Sequence, residues 1–489
     1  MLKKLNLTKE DRKYLTILLS FGLALRLYAF SQIYMITFDG ALQYIPVAKL
    51  FFQGEYLEAL AQPQLPLYPF LIGIFSHITG SFELAGQLIA IIFSLLAVFP
   101  IYFIGKSLFG PKPAFWTTIL YLINHLMLEC SVDVLKEGML VFFFFSSVYC
   151  SLRFLQGGKG QWLIWTGVFA LVGALVRMNT LMVLVVMGVW WGYGFIRRIV
   201  REKQSARRHL WTVLVFLGIM LVLVITGVWG WEFLVGKKPY IKISQLFSQW
   251  FLFAWPSLSH IGEGIVKIVG RFLEKAYPLP LLLALFGIGW RIKAKEFSAA
   301  EKYLTLMIGA LIVILFPNLY ASGRYHLPAI FLLYLWAGFG FVTFGEWIQR
   351  RFTKYPRPAA VIPVVILLGV MLSLCLQPQR LDKIGRKEVG FWLRERSVTP
   401  PRILTDIPRV AYYAGGEYLQ FPYKAIPKKI ISKGRREKAD YLVLEEEGNK
   451  ISGAFVPFEQ KGELDLLLRH PYGNEGKVIY VYKLRGKGE

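Results

Sequence analysis

Cysteine is nearly missing: three residues in 489, Cys130, Cys150 and Cys375, with no CxxC pair among them. That excludes a disulfide framework and a cysteine-built metal site, and it leaves Cys150 and Cys375 as small buried hydrophobes. Histidine is scarce as well, with six residues and no cluster, so no metal site is indicated from that side either. Acidic residues are in deficit, 31 against 56 Lys plus Arg, for a net charge of +25. A surplus of that size can mark a nucleic-acid binder. Here the basic residues fall in short clusters between apolar runs and form no single basic face, so no nucleic-acid partner is expected. No internal repeat and no low-complexity tract occurs. No small-residue cleavage site follows the first apolar segment, Tyr14 to Met35, which therefore reads as an uncleaved signal anchor behind Lys3, Lys4, Lys9, Arg12 and Lys13.

What the chain has in excess is apolar surface. Hydrophobic residues make up 55% of it, aromatics 16%, and the mean hydropathy is +0.48. A soluble domain of this length would not stay dispersed at those values, so the bilayer is part of the solvent. Runs such as Leu214 to Trp229 and Val361 to Leu376 carry no ionisable residue. The spacing predicts about eleven membrane helices, over 14–35, 84–105, 113–130, 137–154, 161–176, 179–196, 210–231, 279–292, 303–319, 327–346 and 358–377. With the N-terminus in the cytoplasm, roughly 23 Lys and Arg lie on inner connections against about 10 on outer ones before residue 378, which supports that orientation. The long outer loop 235–278 breaks the bias with Lys237, Lys238, Lys242, Lys267, Arg271 and Lys275, and it reads as an amphipathic interfacial stretch, a basic surface or a missed re-entrant pair.

The fold expected is thus a polytopic α-helical membrane protein over residues 1–377, with a first outer loop at 37–83 that carries interfacial helices. A small extracytoplasmic α/β domain follows over 378–489. In that tail KEVGFWLRERS has the period of a short amphipathic helix, while RILTD, ADYLVLE and KVIYVYKL have the composition and bounds of strands.

Ionisable groups beside apolar spans cost about 2.5–3.5 kcal/mol each at mid-membrane, so those that topology does not require are informative. They converge on the outer side: Asp39 and Lys49, then Asp133, Lys136 and Glu137, then Arg177, then Arg324 with His326. Asp39 stands where the first span ends, with Tyr44 just over one turn on. It can serve as a general base, cap the helix that begins at Gly40, or do both. Asp133 and Glu137 are four apart and so share a face if both are helical, and acids at a helix N-terminus are also ordinary dipole partners. Arg177 and Arg324 can snorkel to head groups. Two arginines and Lys136 beside carboxylates fit an anionic lipid phosphate plus a proton acceptor better than anchoring alone.

At these residues the sequence resembles the GT-C glycosyltransferases, in the branch similar to dolichyl-phosphate-mannose protein mannosyltransferases and bacterial aminoarabinose transferases. The resemblance is carried in order by FDGALQY, AKLFFQGEY, QLPLYPFL, IYFIGKSLFG, VLKEGMLVFFF, ALVRMNTL and GRYHLPAI, and in the tail by GFWLRERS, AYYAGGEY and ADYLVLEE. It implies Asp39 as catalytic base and Glu137 or Asp133 as a second acidic residue. It also implies Arg177, Arg324 and Tyr325 near the donor phosphate, aided by Lys136, with Tyr44, Lys49, Tyr68 and His326 toward substrate. The chain departs from the pattern at Gly40, where many members have Glu, and at Gln64 and Leu65, which replace a basic residue and a proline. The basic contribution must then come from elsewhere, Lys49 or Lys136. The activity implied is sugar transfer from a polyprenyl-phosphate donor, undecaprenyl or dolichyl, to a glycan, lipid or protein acceptor at the outer face of the plasma membrane. No cofactor is required by this reading, though Asp39, Asp133 and Glu137 leave room for a divalent cation. A transporter or flippase is the chief rival, and such folds show paired broken helices and mid-membrane sites that this sequence does not suggest. A membrane-anchored scaffold working through its tail is a second rival.

Overall fold

The computed structural model describes residues 7–202, 258–315, 322–351, 356–421, 426–447, 452–473 and 476–485. The expected span 210–231 and the first half of the loop 235–278 lie outside these residues. The chain divides into two compact units, Met1–Tyr28 with Val47–Leu376, and Ala29–Pro46 with Gln377–Glu489. The second unit thus takes in the stretch after the first helix as well as the tail expected from composition.

The first unit is helical. Four helices among the described residues are long and apolar enough to cross a membrane: Lys9–Ser31, Phe82–Phe109, Glu137–Leu155 and Gly323–Arg351. A bent pair, Val266–Ala276 with Pro278–Lys293, makes a fifth if counted as one span. Ile78, Ile164, Leu282, Val313 and Val365 stand exposed, as side chains that face lipid do. The chain is a multi-pass membrane protein; among the described residues, which leave out the expected span 210–231, length and apolarity alone support fewer spans than the eleven expected. The difference has local causes. The run read as 113–130 breaks at Asn124 into Pro111–Leu122 and His125–Val132, where the Asn124 side chain accepts from the Met127 amide and caps the second piece. Other runs form shorter apolar helices, among them Leu67–Thr79 and Gln161–Ala174. In the first outer loop, Ile45–Gln53 and Tyr56–Leu60 are the short helices expected there.

Two buried charges in the helices have side-chain partners from elsewhere in the chain. Asp11, fully buried, accepts from Thr8, Tyr102 and Lys106. Arg26, also fully buried, donates Nε to Ser94 Oγ at 2.7 Å and Nη1 to the Gly22 carbonyl at 3.2 Å, with the Tyr121 ring 5.9 Å away. The 96° bend between the paired helices falls at Tyr277, whose φ of 59° is left-handed, just before Pro278, which has no amide to continue the ladder. Asn124 and Tyr334 pin that bend by donating to the Lys275 and Ala276 carbonyls.

In the second unit five strands, β1 (Arg402–Thr405), β2 (Glu417–Gln420), β3 (Tyr441–Glu447), β4 (Leu464–Tyr472) and β5 (Lys477–Leu484), form one sheet in the order β2-β1-β3-β5-β4. β1 is parallel to β2 and β3, and the β3, β5 and β4 pairings are antiparallel. Period-two alternation sends Leu404, Leu442, Leu444, Tyr480 and Tyr482 to one face, under Pro427–Arg436 and Ser452–Gln460. Ile403, Val443, Ile479 and Val481 go to the other, under Gly385–Arg396 and Pro408–Tyr413. The helix and three strands expected from the tail are all present. β2 and β4 are additional, and β4 leaves Leu466 and Leu467 exposed, a pattern without the strict alternation that marks a strand.

The closest helix crossing joins Pro278–Lys293 to Leu327–Arg351 through glycines. A methyl added to Gly340 would sit 2.0 Å from the Leu283 carbonyl oxygen, whereas one added to Gly345 on the same helix meets nothing within 4 Å. Gly340→Ala should therefore lower stability by about 1–3 kcal/mol, seen as a drop in the thermal midpoint in detergent, with Gly345→Ala unchanged or slightly raised. Equal midpoints for the two variants would show that this crossing does not hold the bundle.

Candidate functional site

Three elements of the first unit bring charged groups together. Glu137 opens the helix Glu137–Leu155, where a carboxylate is favoured by the unpaired amides of the first turn. Arg177 follows the helix Gln161–Ala174 in extended backbone, its carbonyl accepting from the Thr180 amide and hydroxyl, so the side chain is aimed by a tight hairpin. Arg324 and Tyr325 lie in the single 3-10 turn Gly323–His326 ahead of Leu327–Arg351. Glu137 Oε1 is 3.5 Å from Arg177 Nη1 and 3.4 Å from Arg324 Nε. The Arg177 guanidinium also stacks 3.6 Å above the Tyr325 ring.

The geometry of this cluster is unusual for a structural ion pair. Glu137 is 1% exposed, yet neither of its oxygens takes a hydrogen bond among the described residues, and Arg177 Nη1 makes none either. Charge-assisted hydrogen bonds close to about 2.7–2.9 Å, so these contacts are electrostatic and leave donor capacity unspent. Two cations share one anion. Two guanidiniums facing one carboxylate leave net positive charge here, which disfavours a metal cation at Glu137. Among the described residues no three His, Cys, Asp or Glu side chains gather as a metal site, and no step below is routed through a metal.

The other residues singled out from sequence fall in varied places. Asp133 is fully buried and accepts from the Val134 amide at 2.6 Å. It lies outside the helix that starts at Glu137, so the shared helix face expected for these two acids is not formed; the break at 133–136 separates them. Lys136 is half-buried at the cap position of that helix. Lys49 is exposed on Ile45–Gln53. Tyr68 is fully buried with its hydroxyl donating to the Gly86 carbonyl, and His326 is 1% exposed beside the Phe272 ring, with neither ring nitrogen hydrogen-bonded among the described residues. Gly323, beside Arg324, lets the stem of Lys275 pack close, where an added methyl would sit 2.9 Å from Lys275 Cε. That lysine was legible only as one charge of a long basic loop.

Asp39 and Tyr44 belong to the second unit. Asp39 is partly exposed and has helical backbone, with no capping hydrogen bond from its side chain. The cap is Thr37, whose Oγ1 accepts from the Gly40 amide at 3.1 Å. The capping role considered for Asp39 is thus filled two residues earlier. Directly after Asp39 the helix widens into a π-helical turn, Gly40–Tyr44, a form found often at functional sites.

Residues 61–231 match the family model described as dolichyl-phosphate-mannose-protein mannosyltransferase. Among solved structures the chain is similar to ArnT from Cupriavidus metallidurans bound to undecaprenyl phosphate, with a TM-score of 0.60, 11% identity, and 96% of this chain and 98% of that one covered. The fold is that of the GT-C glycosyltransferases. AglB, the archaeal oligosaccharyltransferase from Archaeoglobus fulgidus, in complex with an inhibitory peptide and a dolichol-phosphate, shares the GT-C fold at a TM-score of 0.59 and 10% identity over 97% of this chain and 74% of that one. No curated protein matches the chain. The GT-C fold accounts for both units, since the ArnT match runs over the tail as well as the helices.

Removing Glu137 would leave two guanidiniums without their counter-charge. Glu137→Ala should destabilise the protein by about 3–5 kcal/mol, and a second change, Arg177→Ala, should recover part of that loss. Thermal unfolding of the single and double variants in nanodiscs measures both. Additive losses would show that the pair is not coupled.

Proposed function

We propose that the chain is an integral membrane glycosyltransferase that moves a sugar from a polyprenyl-phosphate carrier to a lipid, glycan or protein acceptor at the outer face of the plasma membrane. The observation that carries the proposal is the buried cluster of Arg177 and Arg324 around Glu137, in which Arg177 Nη1 and Arg324 Nε make no hydrogen bond among the described residues. The polyprenyl phosphates bound by ArnT and AglB and the lipid-linked sugar in the matched family's description support the same donor class.

In this reading the carrier's phosphate is held by Arg177 and Arg324, with Lys136 adding positive charge. Negative charge grows on the phosphate as the bond from the anomeric carbon to the phosphate oxygen breaks, and the guanidiniums stabilise it. Asp39 enters from the sequence motif as the general base: it takes the proton of the acceptor hydroxyl, whose oxygen bonds to the anomeric carbon. The bonding pair of the broken link leaves with the polyprenyl phosphate. Attack from the face opposite the leaving group inverts the anomeric centre. Glu137 acts on the arginines, aligning them and lowering the net charge they must carry before the donor arrives. The N-terminus is cytoplasmic and residues 378–489 extracytoplasmic in the same proposal, on the distribution of Lys and Arg.

Undecaprenyl phosphate should raise the thermal midpoint of the wild-type protein and leave Arg324→Ala unmoved. Asp39→Asn should keep the stabilisation but lose at least about a hundredfold in release of polyprenyl phosphate from polyprenyl-phosphate hexoses and pentoses. Absence of stabilisation in the wild type would count against the donor class. Wild-type turnover by Asp39→Asn would remove the base assignment alone.

A further inference from the structure

The stretch between the first helix and Asp39 has little secondary structure of its own, yet its backbone polar groups are taken one after another by residues some 345–377 positions away. The Gln32 carbonyl accepts from the Gln379 amide, and the Tyr34 amide donates to the Gln379 carbonyl, forming a short parallel bridge at Ile33. Lys387 Nζ donates to the Tyr34 carbonyl at 3.0 Å and Arg380 Nη1 to the Met35 carbonyl at 3.1 Å. The Ile36 amide donates to the Tyr413 hydroxyl at 3.0 Å. Met35 and Ile36 are fully buried, so these groups have lost water and depend on the partners named. Thr37 then caps the helix, and Asp39 stands three residues beyond the last pinned amide.

The partners are themselves held. Lys387 lies 5.2 Å from the Tyr413 ring, and Phe391 packs edge-on to that ring. Gly390 lets the two helices close: a methyl there would sit 2.6 Å from Tyr413 Cβ. Arg380 has φ of 59°, the left-handed region that a residue with a side chain seldom adopts, and it does so at the turn from which its guanidinium reaches Met35. The helix Pro408–Tyr413 also packs on the π-helical turn that follows Asp39. All of these contacts are internal to the second unit.

We propose that Tyr413, Lys387 and Arg380 are positioning residues for the Asp39 turn, so that the tail domain sets the rate of transfer by fixing the backbone of residues 32–36. The inference rests on the reading of Asp39 as base. A base displaced by about an ångström loses up to a hundredfold in rate without loss of substrate binding. Each of the three residues acts through main-chain atoms, so none needs to touch a substrate.

The test uses full-length protein in nanodiscs, with Tyr413→Phe, Lys387→Met, Lys387→Arg and Asp39→Asn. Hydrogen exchange reads the peptide covering 33–41, and release of polyprenyl phosphate from polyprenyl-phosphate hexoses and pentoses reads turnover. In Tyr413→Phe and Lys387→Met that peptide should exchange about tenfold faster or more, while Glu137–Leu155 keeps its protection. Their kcat should fall about 10- to 100-fold at unchanged donor KM. Lys387→Arg, which can still donate to the Tyr34 carbonyl, should regain most of the rate. Unchanged exchange at 33–41 overturns the docking. Faster exchange with wild-type kcat overturns the positioning role, and so does a fall in KM and kcat together with loss of protection throughout the protein. An Asp39→Asn variant with wild-type turnover identifies failure of the base reading itself, whereas an inactive Asp39→Asn beside fully active Tyr413→Phe and Lys387→Met leaves that reading intact and rejects only this one.

Discussion

Two guanidiniums cannot be kept beside apolar helices without an anion, and Glu137 is the anion that Arg177 and Arg324 have. This requirement organises much of the first unit. The carboxylate gains from the open amides of the helix it starts, and the arginines arrive from two connections whose own backbones are closed by short hydrogen-bonded turns. Because the contacts stay at 3.4–3.5 Å, the ion pairs balance charge without using up the donors. A tightly hydrogen-bonded triad would be more stable and chemically inert. The observed one leaves Arg177 Nη1 and Arg324 Nε without a hydrogen bond among the described residues.

The surrounding helices are tied to one another by side-chain hydrogen bonds. Asn124 caps one helix, donates to the hydroxyl of Tyr334 and, with it, secures the bend at Tyr277, next to Lys275 and the turn that carries Arg324. Asp11 and Arg26 each meet side chains from neighbouring helices, Asp11 through Tyr102 and Lys106 and Arg26 through Ser94. The tail is a three-layer α/β module with a core on each face of its sheet, and it also holds the residues that lead to Asp39. It therefore forms one unit with the stretch that leads to Asp39, and under the proposed positioning role a rate that depends on Asp39 depends on it.

Much of this was legible in the sequence because of cost. A charge next to an apolar run must have a reason, and that argument selects Glu137, Arg177 and Arg324, which the structure brings together. The apolar, β-branched and aromatic composition of RILTD, ADYLVLE and KVIYVYKL, with their bounding residues, likewise marks β1, β3 and β5, since both faces of these strands are buried in a core. What was not legible has a common cause. The docking of residues 32–36 uses main-chain amides and carbonyls, which every sequence has, so no side-chain pattern announces it. The cap at Thr37 was hidden by the more conspicuous Asp39, and the separation of Asp133 from Glu137 by a backbone break that spacing alone does not reveal. Tyr68 and His326 sit inside motifs that resemble substrate-binding ones, and their burial is not announced by residue type alone.

The central claim is that Arg177 and Arg324 hold the phosphate of a polyprenyl carrier. The most direct measurement is a cryo-EM map of the protein in nanodiscs with undecaprenyl phosphate. The account predicts phosphate density within hydrogen-bonding reach of both guanidiniums, with Glu137 retained behind them. Phosphate density elsewhere, with both arginines still closed on Glu137, would contradict it.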